Sequence, residues 1–282
     1  MDKLLRTLIE DGQVSLVAID STEMVRHAQI IHNLTEASAR VFGRILTVMS
    51  YMSCWLKGEH SELSVNFKHH GETGEVCVSG DGNLYMRGYV YNPFAQNEEI
   101  GKGYMTVVRD DNYKRPFVGT CEMVSKDVDE NFEYYYRLSE QLPTYIRTGV
   151  SFDEHGLCQR AGGIFLQPMP GASDIAKQSA KLAADDFSAF SERLKDKAAC
   201  DLFKEYFSVD TAEERDIEYR CRCSREYIAG VLTSMGKAEL DEIIRAEGKI
   251  NVHCHYCNSD YDFFEEDVEK LFQNQNPDED TN

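Results

Sequence analysis

Two tight pairs of cysteines near the C-terminal end constrain the fold of this chain more than any other feature. The first pair is a CxC motif at residues 221–223, and a CxxC motif at residues 254–257 follows after thirty residues. Each pair can place both sulfurs on one ion, and a loop that joins the pairs completes a tetrahedral thiolate set with no open position. A CxC half-site is tighter than the commoner CxxC. The spacing predicts a structural zinc site whose ligands are Cys221, Cys223, Cys254 and Cys257.

The segment that carries these cysteines is predicted to fold only with its metal. It spans about 55 residues and has few large apolar side chains, and modules of that size seldom fold on a hydrophobic core alone. Thiolate coordination can supply roughly 10–16 kcal/mol of apparent binding energy, which in a small metallodomain is folding energy. From spacing alone, a permanent zinc knuckle with no further role also fits.

Charged and imidazole side chains flank the cysteines. His253 and His255 lie on either side of Cys254 and are alternative ligands, but four thiols already fill the site, so hydrogen bonds around the ligands are the favoured role. Arg222 and Arg225 lie beside the first pair. We interpret them either as charges that offset a tetrathiolate zinc centre or as ordinary solvated arginines.

The charge of the chain restricts its partners. The net charge is −19 over 282 residues, and from residue 201 onward there are 21 acidic and nine basic residues. Binding to phosphate backbones or anionic membranes needs clustered Lys and Arg, so neither nucleic acid nor membrane is an expected partner. The charged N-terminal segment lacks the apolar centre of a signal peptide, and no apolar run is long enough to span a membrane.

We therefore expect a cytoplasmic protein whose nine cysteines are mostly reduced. Outside the two pairs, the remaining cysteines are scattered singly among apolar neighbours. These are interpreted as small buried hydrophobic residues. They are Cys54, Cys77, Cys121, Cys158 and Cys200.

The first 172 residues are predicted to form an α+β domain with mainly antiparallel sheets. A strand at residues 13–19 precedes a helix that starts at Asp20, with Glu23 in capping-box register. A longer helix over residues 35–57 is apolar on most of its surface, which predicts a buried spine that Gly58 ends. Strands and hairpins follow, with a helix at 125–141 and a last hairpin over 144–167. Gly162-Gly163 predicts a bulge or a close backbone approach.

Residues 173–216 are predicted to be an amphipathic helical linker that docks on the first domain and is marginally stable alone. Residues 217–272 form the predicted zinc-binding domain, with helices at 227–235 and 238–246, strands on both sides of the CxxC and a last helix at 265–272. The polar, acidic tail 273–282 is predicted to be disordered. The linker's apolar face would comprise Leu182, Phe187, Phe190, Leu194, Leu202, Phe203, Tyr206 and Phe207.

Enzyme signatures are absent: there is no GxSxG, no glycine-rich phosphate loop and no HExxH. His69-His70 is interpreted as part of a turn rather than a metal site, and residues 134–136, three tyrosines, as packing. A zinc-module transcription-associated factor is disfavoured by the acidic charge. A thiol oxidoreductase is disfavoured because the CxxC does not lie in a thioredoxin-like unit and its thiols are already committed to zinc.

Five further stretches join the cysteine pairs in a pattern that covers nearly the whole chain. With the CxC and CxxC at this distance, they resemble the redox-regulated heat-shock protein 33 chaperone family, the 33 kDa chaperonins. One departure is segment 69–72, where members often show a Gly-Pro turn; it affects a loop and no cysteine. The stretches are HNLT (32–35), LKGE (56–59), RGYV (87–90), YRLSEQ (136–141) and AGG (161–163) leading to Gln167.

The resemblance implies an ATP-independent holdase, not an enzyme, that is inactive while reduced and bound to one Zn²⁺. It implies that oxidation pairs Cys221 with Cys223 and Cys254 with Cys257, releases zinc and unfolds the C-terminal domain and the linker. The exposed surface would bind unfolded or aggregation-prone client proteins, and the oxidised form would be a homodimer. The alternative is a constitutive zinc-module binding protein without a redox switch.

Overall fold

The computed structural model describes residues 2–58, 60–111, 115–209 and 211–273. The chain divides into two compact units, Met1–Arg220 and Cys221–Asn282. The fold is of the mixed α+β class that the sequence predicts, with two large sheets in the first unit and a small two-stranded sheet in the second. Within the described residues, no helix combines the length and the apolar character needed to cross a membrane.

The first sheet has five strands in the order β10-β1-β2-β9-β8, and every neighbouring pair is antiparallel. The sequence does not predict strand β1, because its apolar residues do not alternate. Leu4 packs into the main core and Leu5 into a second core, so the strand has one buried residue on each face. The strands are β1 (Lys3–Ile9), β2 (Val14–Asp20), β8 (Tyr145–Phe152), β9 (Cys158–Pro168) and β10 (Glu213–Asp216).

The second sheet has six strands in the order β11-β5-β4-β3-β6-β7, and only the β11–β5 pair is parallel. Its central strands bury alternate residues, as the sequence predicts; Leu63, Val65 and Phe67 point into the core. The strands are β3 (Glu62–His69), β4 (Val76–Asp81), β5 (Tyr85–Val90), β6 (Gly103–Asp110), β7 (Phe117–Glu122) and β11 (Glu218–Tyr219).

Helix α2 (Glu36–Ser53) is the predicted spine: it packs against strands of both sheets and is buried along most of its length. It ends at Ser53, short of the predicted stop at Gly58. Helix α1 (Thr22–His32) also differs at its start. The carboxylate of Asp2 accepts the N–H groups of Glu23 and Met24, so the cap comes from a residue distant in sequence and the predicted capping box is wrong.

The predicted helix at 125–141 is α3 (Val128–Tyr135), which continues into a π-helical turn at Tyr136–Glu140. The last predicted hairpin is β8–β9. Its register shift falls at Ser151/Phe152, whereas Gly162 marks a close approach: a Cβ there would lie 2.4 Å from the Ile19 carbonyl oxygen and 2.6 Å from the Ala199 Cβ.

Residues 173–216 pack on the first sheet as helices α4 (Asp174–Asp186), α5 (Phe190–Leu194) and α6 (Ala199–Phe207), followed by β10. Phe187, Phe190 and Phe203 are buried, as predicted. Leu182 is 58% exposed and so does not belong to the inner face. The buried side of α4 is instead a row of small residues that lets the helix approach the sheet closely: Ala176, Ala180 and Ala184.

The second unit contains helices α7 (Arg225–Met235) and α8 (Lys237–Glu247), the hairpin of β12 (Ile250–Cys254) and β13 (Ser259–Phe263), and α9 (Glu265–Gln273). These elements match the predicted ones. Ser224 caps α7, and Gly248 ends α8 in the left-handed conformation. The predicted four-part domain division stays a prediction; Ile217 and Tyr219 are buried in the first unit. Residues 274–282 of the predicted disordered tail lie outside the described residues.

Candidate metal centre

The structure brings the four predicted cysteines together in the second unit. Cys221 and Cys223 lie in the irregular segment before α7, Cys254 ends β12, and Cys257 lies in the turn to β13. Their sulfur atoms all lie within 4.8 Å of one another. The Sγ–Sγ distances are 3.2 Å for 221–223, 3.7 Å for 221–254 and 3.0 Å for 223–257. All four are free cysteines.

This cluster has the size of a tetrathiolate metal site. Four sulfurs at the usual zinc–sulfur distance of about 2.3 Å from one ion lie about 3.8 Å from each other in a tetrahedron. The three closest separations, 3.0–3.7 Å, lie just below that value and all four sulfurs lie within 4.8 Å of one another, so small shifts of the side chains bring all four onto one ion. Among the described residues, no other group of three or more Cys, His, Asp or Glu side chains has this potential.

A tyrosine adds a contact that the sequence does not predict. The Tyr261 hydroxyl lies 3.2 Å from the Cys223 sulfur, and the Cys223 backbone N–H points at the Cys221 sulfur. Tyr261 reaches the cluster because β13 folds back along β12, where it faces Val252. The hydrogen bond to Cys223 raises the pKa of Tyr261. Burial raises the pKa of the metal-free Cys221 thiol, which a bound cation would oppose.

The flanking histidines lie outside the sulfur cluster, and Arg225 makes structural contacts elsewhere in the unit. The His253 Nδ1 atom lies 3.1 Å from an Asp260 carboxylate oxygen, and neither His253 nor His255 belongs to the sulfur cluster. Arg222 is exposed. Arg225 is neither a simple solvated arginine nor directed at the sulfurs. It donates to the Asp262 carbonyl at 2.7 Å and to Asp267 at 3.0 Å, and its guanidinium lies over the ring of Phe263.

The hydrophobic core beneath this centre is small. Six apolar side chains are buried there, against dozens in the first unit. A core of this size gives little free energy to oppose the entropy of the unfolded chain. The sulfur cluster is therefore positioned where a metal would contribute most to folding. The six are Ile228, Leu232, Leu240, Ile250, Phe263 and Val268.

The other predicted candidates are structural. Cys54, Cys121, Cys158 and Cys200 are buried and Cys77 is half-buried. Burial raises the pKa of Cys54, Cys158 and Cys200 to about 12, which makes them unreactive thiols.

The remaining two groups also fit their structural interpretations. His69 is buried, and its Nδ1 accepts the N–H of Gly71 at 2.9 Å, which holds the turn. Tyr135 and Tyr136 are buried in the main core, and Tyr134 packs against it partly buried.

Comparison with known proteins gives the family. The family model described as "Hsp33 protein" matches residues 2–264, nearly the whole chain. The chain belongs to the Hsp33 family. Two curated relatives, each named 33 kDa chaperonin, come from Bacillus cytotoxicus and Bacillus cereus strain B4264, and both are 33% identical to this chain. The alignments cover 96% and 97% of this chain and 99% of each relative.

A solved Hsp33 structure has the same fold. The crystal structure of the 33 kDa chaperonin (heat shock protein 33 homologue) from Thermotoga maritima aligns with a TM-score of 0.86 and 27% identity. The alignment covers 97% of this chain and 98% of that one. The resemblance drawn from the sequence is thus confirmed: this is a member of a chaperone family, with a cluster of four cysteines that is able to hold a metal ion.

Proposed function

We propose that this chain is a redox-regulated, ATP-independent holdase whose four clustered cysteines bind one Zn²⁺ when reduced and form two disulfides when oxidised. The observation that carries the proposal is the cluster itself. Four free thiols within 4.8 Å of one another lie above a core of only six buried apolar side chains. The same sulfurs would therefore be both the main support of the unit and its oxidisable part.

Zinc is the metal that fits four thiolates in a closed tetrahedral set, and when bound it supplies folding energy and keeps the thiols ionised. Ionised sulfurs react with peroxides. Two peroxide molecules accept four electrons from four thiolates and four protons from solvent, which gives two disulfides and four water molecules. We assign the pairs as Cys221 with Cys223 and Cys254 with Cys257, following the family resemblance. The chain then lacks the donors that hold the ion.

Loss of the donors would unfold the second unit and loosen the linker. Cys221 follows directly after Arg220, the last residue of the first unit. If the chain becomes disordered from Cys221 onward, residues 208–220 are no longer anchored at their C-terminal end. The linker helices cover Leu5, Leu16 and Ile164 on the first sheet. Undocking would expose both this face and the aromatic face of the helices, an apolar surface of the kind that captures unfolded proteins.

The net charge of −19 would keep the open form soluble while it holds clients. A homodimer of the oxidised form is part of the proposal through the family resemblance. We place the protein in the cytoplasm, where thiols stay reduced until oxidative stress. The thiols act as ligands and as a switch, so no catalytic turnover is proposed.

The test measures zinc content against thiol count before and after peroxide treatment, together with suppression of aggregation of a denatured test protein without ATP. The reduced chain is expected to hold one zinc per chain and to be inactive. The oxidised chain is expected to have lost zinc and four thiols and to be active. Zinc retained after oxidation of the four thiols contradicts the switch. Equal activity in both states supports a constitutive zinc-module binding protein.

A further inference from the structure

One short segment of the first unit closes the open edges of both large sheets. Residues 213–216 form β10 and pair with β1, and residues 218–219 form β11 and pair with β5. The Glu218 N–H donates to the Leu84 carbonyl at 3.2 Å, and the Arg220 N–H donates to the Met86 carbonyl at 2.8 Å. Without this segment, β1 and β5 are the outermost strands of their sheets.

The side chains of the segment fill specific sites on these edges. Ile217 and Tyr219, two residues apart, are buried in the main core. The Tyr219 hydroxyl donates to the Gly88 carbonyl at 2.8 Å and lies 3.0 Å from the His32 Nε2 atom. Departure of the segment would therefore leave two cavities on the edges, one where Ile217 was buried in the core and one beside the rings of His27 and His32 where Tyr219 was.

An acidic pair precedes these apolar residues. Glu213 forms an ion pair with Arg6, with an oxygen 3.1 Å from the Arg6 Nε, and Glu214 forms one with Lys3. Both cations belong to β1, so they would remain on the sheet edge when the segment leaves. The vacated edge would combine unpaired backbone groups, two cations and two cavities, which together suit an extended peptide.

We propose that the edges of β1 and β5 form a strand-addition site for an extended segment of an unfolded client, and that residues 213–219 are the internal occupant that blocks it. The site would prefer a client segment that begins with two adjacent acidic residues. An apolar residue would follow three positions after the second acidic residue, and an aromatic residue would follow two positions after the apolar one. That is the order Glu214, Ile217, Tyr219 in this chain. The inference rests on the proposed holdase function and specifies where and how clients bind.

The position of the segment connects this site to the cysteines. Arg220 ends the segment, and the next residue is Cys221. On the other side, helix α6 ends at Phe207 and belongs to the docked linker. Unfolding of the second unit would free one end of the segment and undocking of the linker would free the other, so the edges open only when both have happened.

The first test uses a fluorescently labelled peptide of residues 213–220 and the full-length protein, with binding measured by fluorescence anisotropy. We expect at least about tenfold tighter binding to the oxidised protein than to the reduced protein. Two control peptides carry Glu213→Lys with Glu214→Lys, or Ile217→Ser with Tyr219→Ser, and each is expected to bind about tenfold more weakly. Equal binding to both redox states, or equal binding of all three peptides, overturns the proposal.

The second test is hydrogen exchange on the full-length oxidised protein with and without a denatured client. Amides in residues 3–6 and 85–88 are expected to lose protection on oxidation and to regain it when the client binds. If the oxidised protein suppresses aggregation but these amides regain no protection, strand addition is wrong and the holdase function stands. If the edges stay protected in an oxidised dimer without client, a second copy occupies them and the proposal is overturned.

A charge-reversal variant tests the blocking role directly. Glu213→Lys with Glu214→Lys places positive charges against Lys3 and Arg6 and is expected to shorten the lag before activation by peroxide several-fold. The matched control is Glu122→Lys with Glu154→Lys, which makes the same charge change at two exposed positions outside the segment. Equal lags for the two variants argue against blocking by this segment. Absence of chaperone activity in every redox state overturns both the holdase function and this inference.

Discussion

The two units of the molecule are stabilised in different ways. The first unit folds around a helix, α2, that is buried between two large sheets, and its aromatic rings pack directly on one another, as Tyr51 does on Phe165. The second unit has six buried apolar side chains and a cluster of four sulfurs. Stability that comes from apolar burial does not depend on redox state, whereas stability that comes from thiolates ends when they are oxidised. Under the proposed function, the chain thus joins a permanent scaffold to a unit whose folding depends on its thiolates.

The largest expected effect is the loss of a single sulfur from the second unit. Cys257→Ser removes one ligand of the proposed zinc site, and several of the roughly 10–16 kcal/mol that coordination supplies would be lost. Residues 221–273 are expected to become sensitive to proteolysis while the first unit stays resistant. The control is Cys77→Ser, a half-buried thiol of the first unit. If the second unit of the Cys257→Ser protein stays resistant to protease, the sulfurs are not the main source of its stability.

Removing one ring from the docked linker should have the next largest effect. Phe203 is fully buried between α6 and the first sheet, so Phe203→Ala is expected to destabilise linker docking by about 3–5 kcal/mol. The reduced variant should therefore show chaperone activity without oxidation, measured as suppression of client aggregation. Leu182→Ala is the matched control, because Leu182 is 58% exposed. Similar activity of the two variants would show that docking of the linker does not control activity.

The sequence predicts best where its signals are local. Strand alternation in β3, the caps at Ser224 and Gly248, and the cysteine spacing each depend on residues close together in the chain. The four ligand candidates follow from the cysteine pattern alone because a closed thiolate set needs only correct spacing and a loop.

Most features that the sequence does not predict depend on residues that are far apart in the chain. The two buried residues of strand β1, Leu4 and Leu5, are adjacent and face opposite cores, so the strand lacks the alternation that identifies a strand. The cap of α1 comes from Asp2, which is separated from the helix by the whole β1–β2 hairpin. Tyr261 reaches Cys223 only because of the register between β12 and β13. The size of Leu182 suggests burial on the inner face of α4, whereas close packing there requires alanines.

A pH-dependent effect is expected at Asp2 in the first unit. Asp2 is buried, and burial raises the pKa of its carboxyl from 3.8 to about 6. Hydrogen bonds from two backbone N–H groups lower this pKa, whereas repulsion from the carboxylates of Asp20 and Glu23 raises it further. The native state therefore holds this proton more tightly than the unfolded state. Its contribution is fully present below about pH 4 and is lost as pH rises through about 6.

Comparison with Asp2→Asn isolates this contribution, since the amide does not titrate. The unfolding free energy of the wild-type chain minus that of Asp2→Asn should fall by about 2.4 kcal/mol between pH 4 and pH 7, which is most of the roughly 3 kcal/mol that the whole shift represents at 1.36 kcal/mol per pKa unit. Denaturant titrations at several pH values measure it. A difference that is constant with pH would show that Asp2 titrates alike in the folded and unfolded chains.

The smallest expected effect concerns the protein contacts of the second unit. Arg225 joins α7 to the Asp262 carbonyl, to Asp267 and to the Phe263 ring, but its side chain is 46% exposed. Arg225→Lys loses the planar fork that makes these contacts together and should destabilise the zinc-bound unit by less than about 1 kcal/mol. Arg222→Lys, at an exposed position, is the control. Zinc stoichiometry should be unchanged in both variants. If Arg225→Lys unfolds the unit as fully as Cys257→Ser does, side-chain contacts support the unit as much as its sulfurs do, and the contrast between the two units fails.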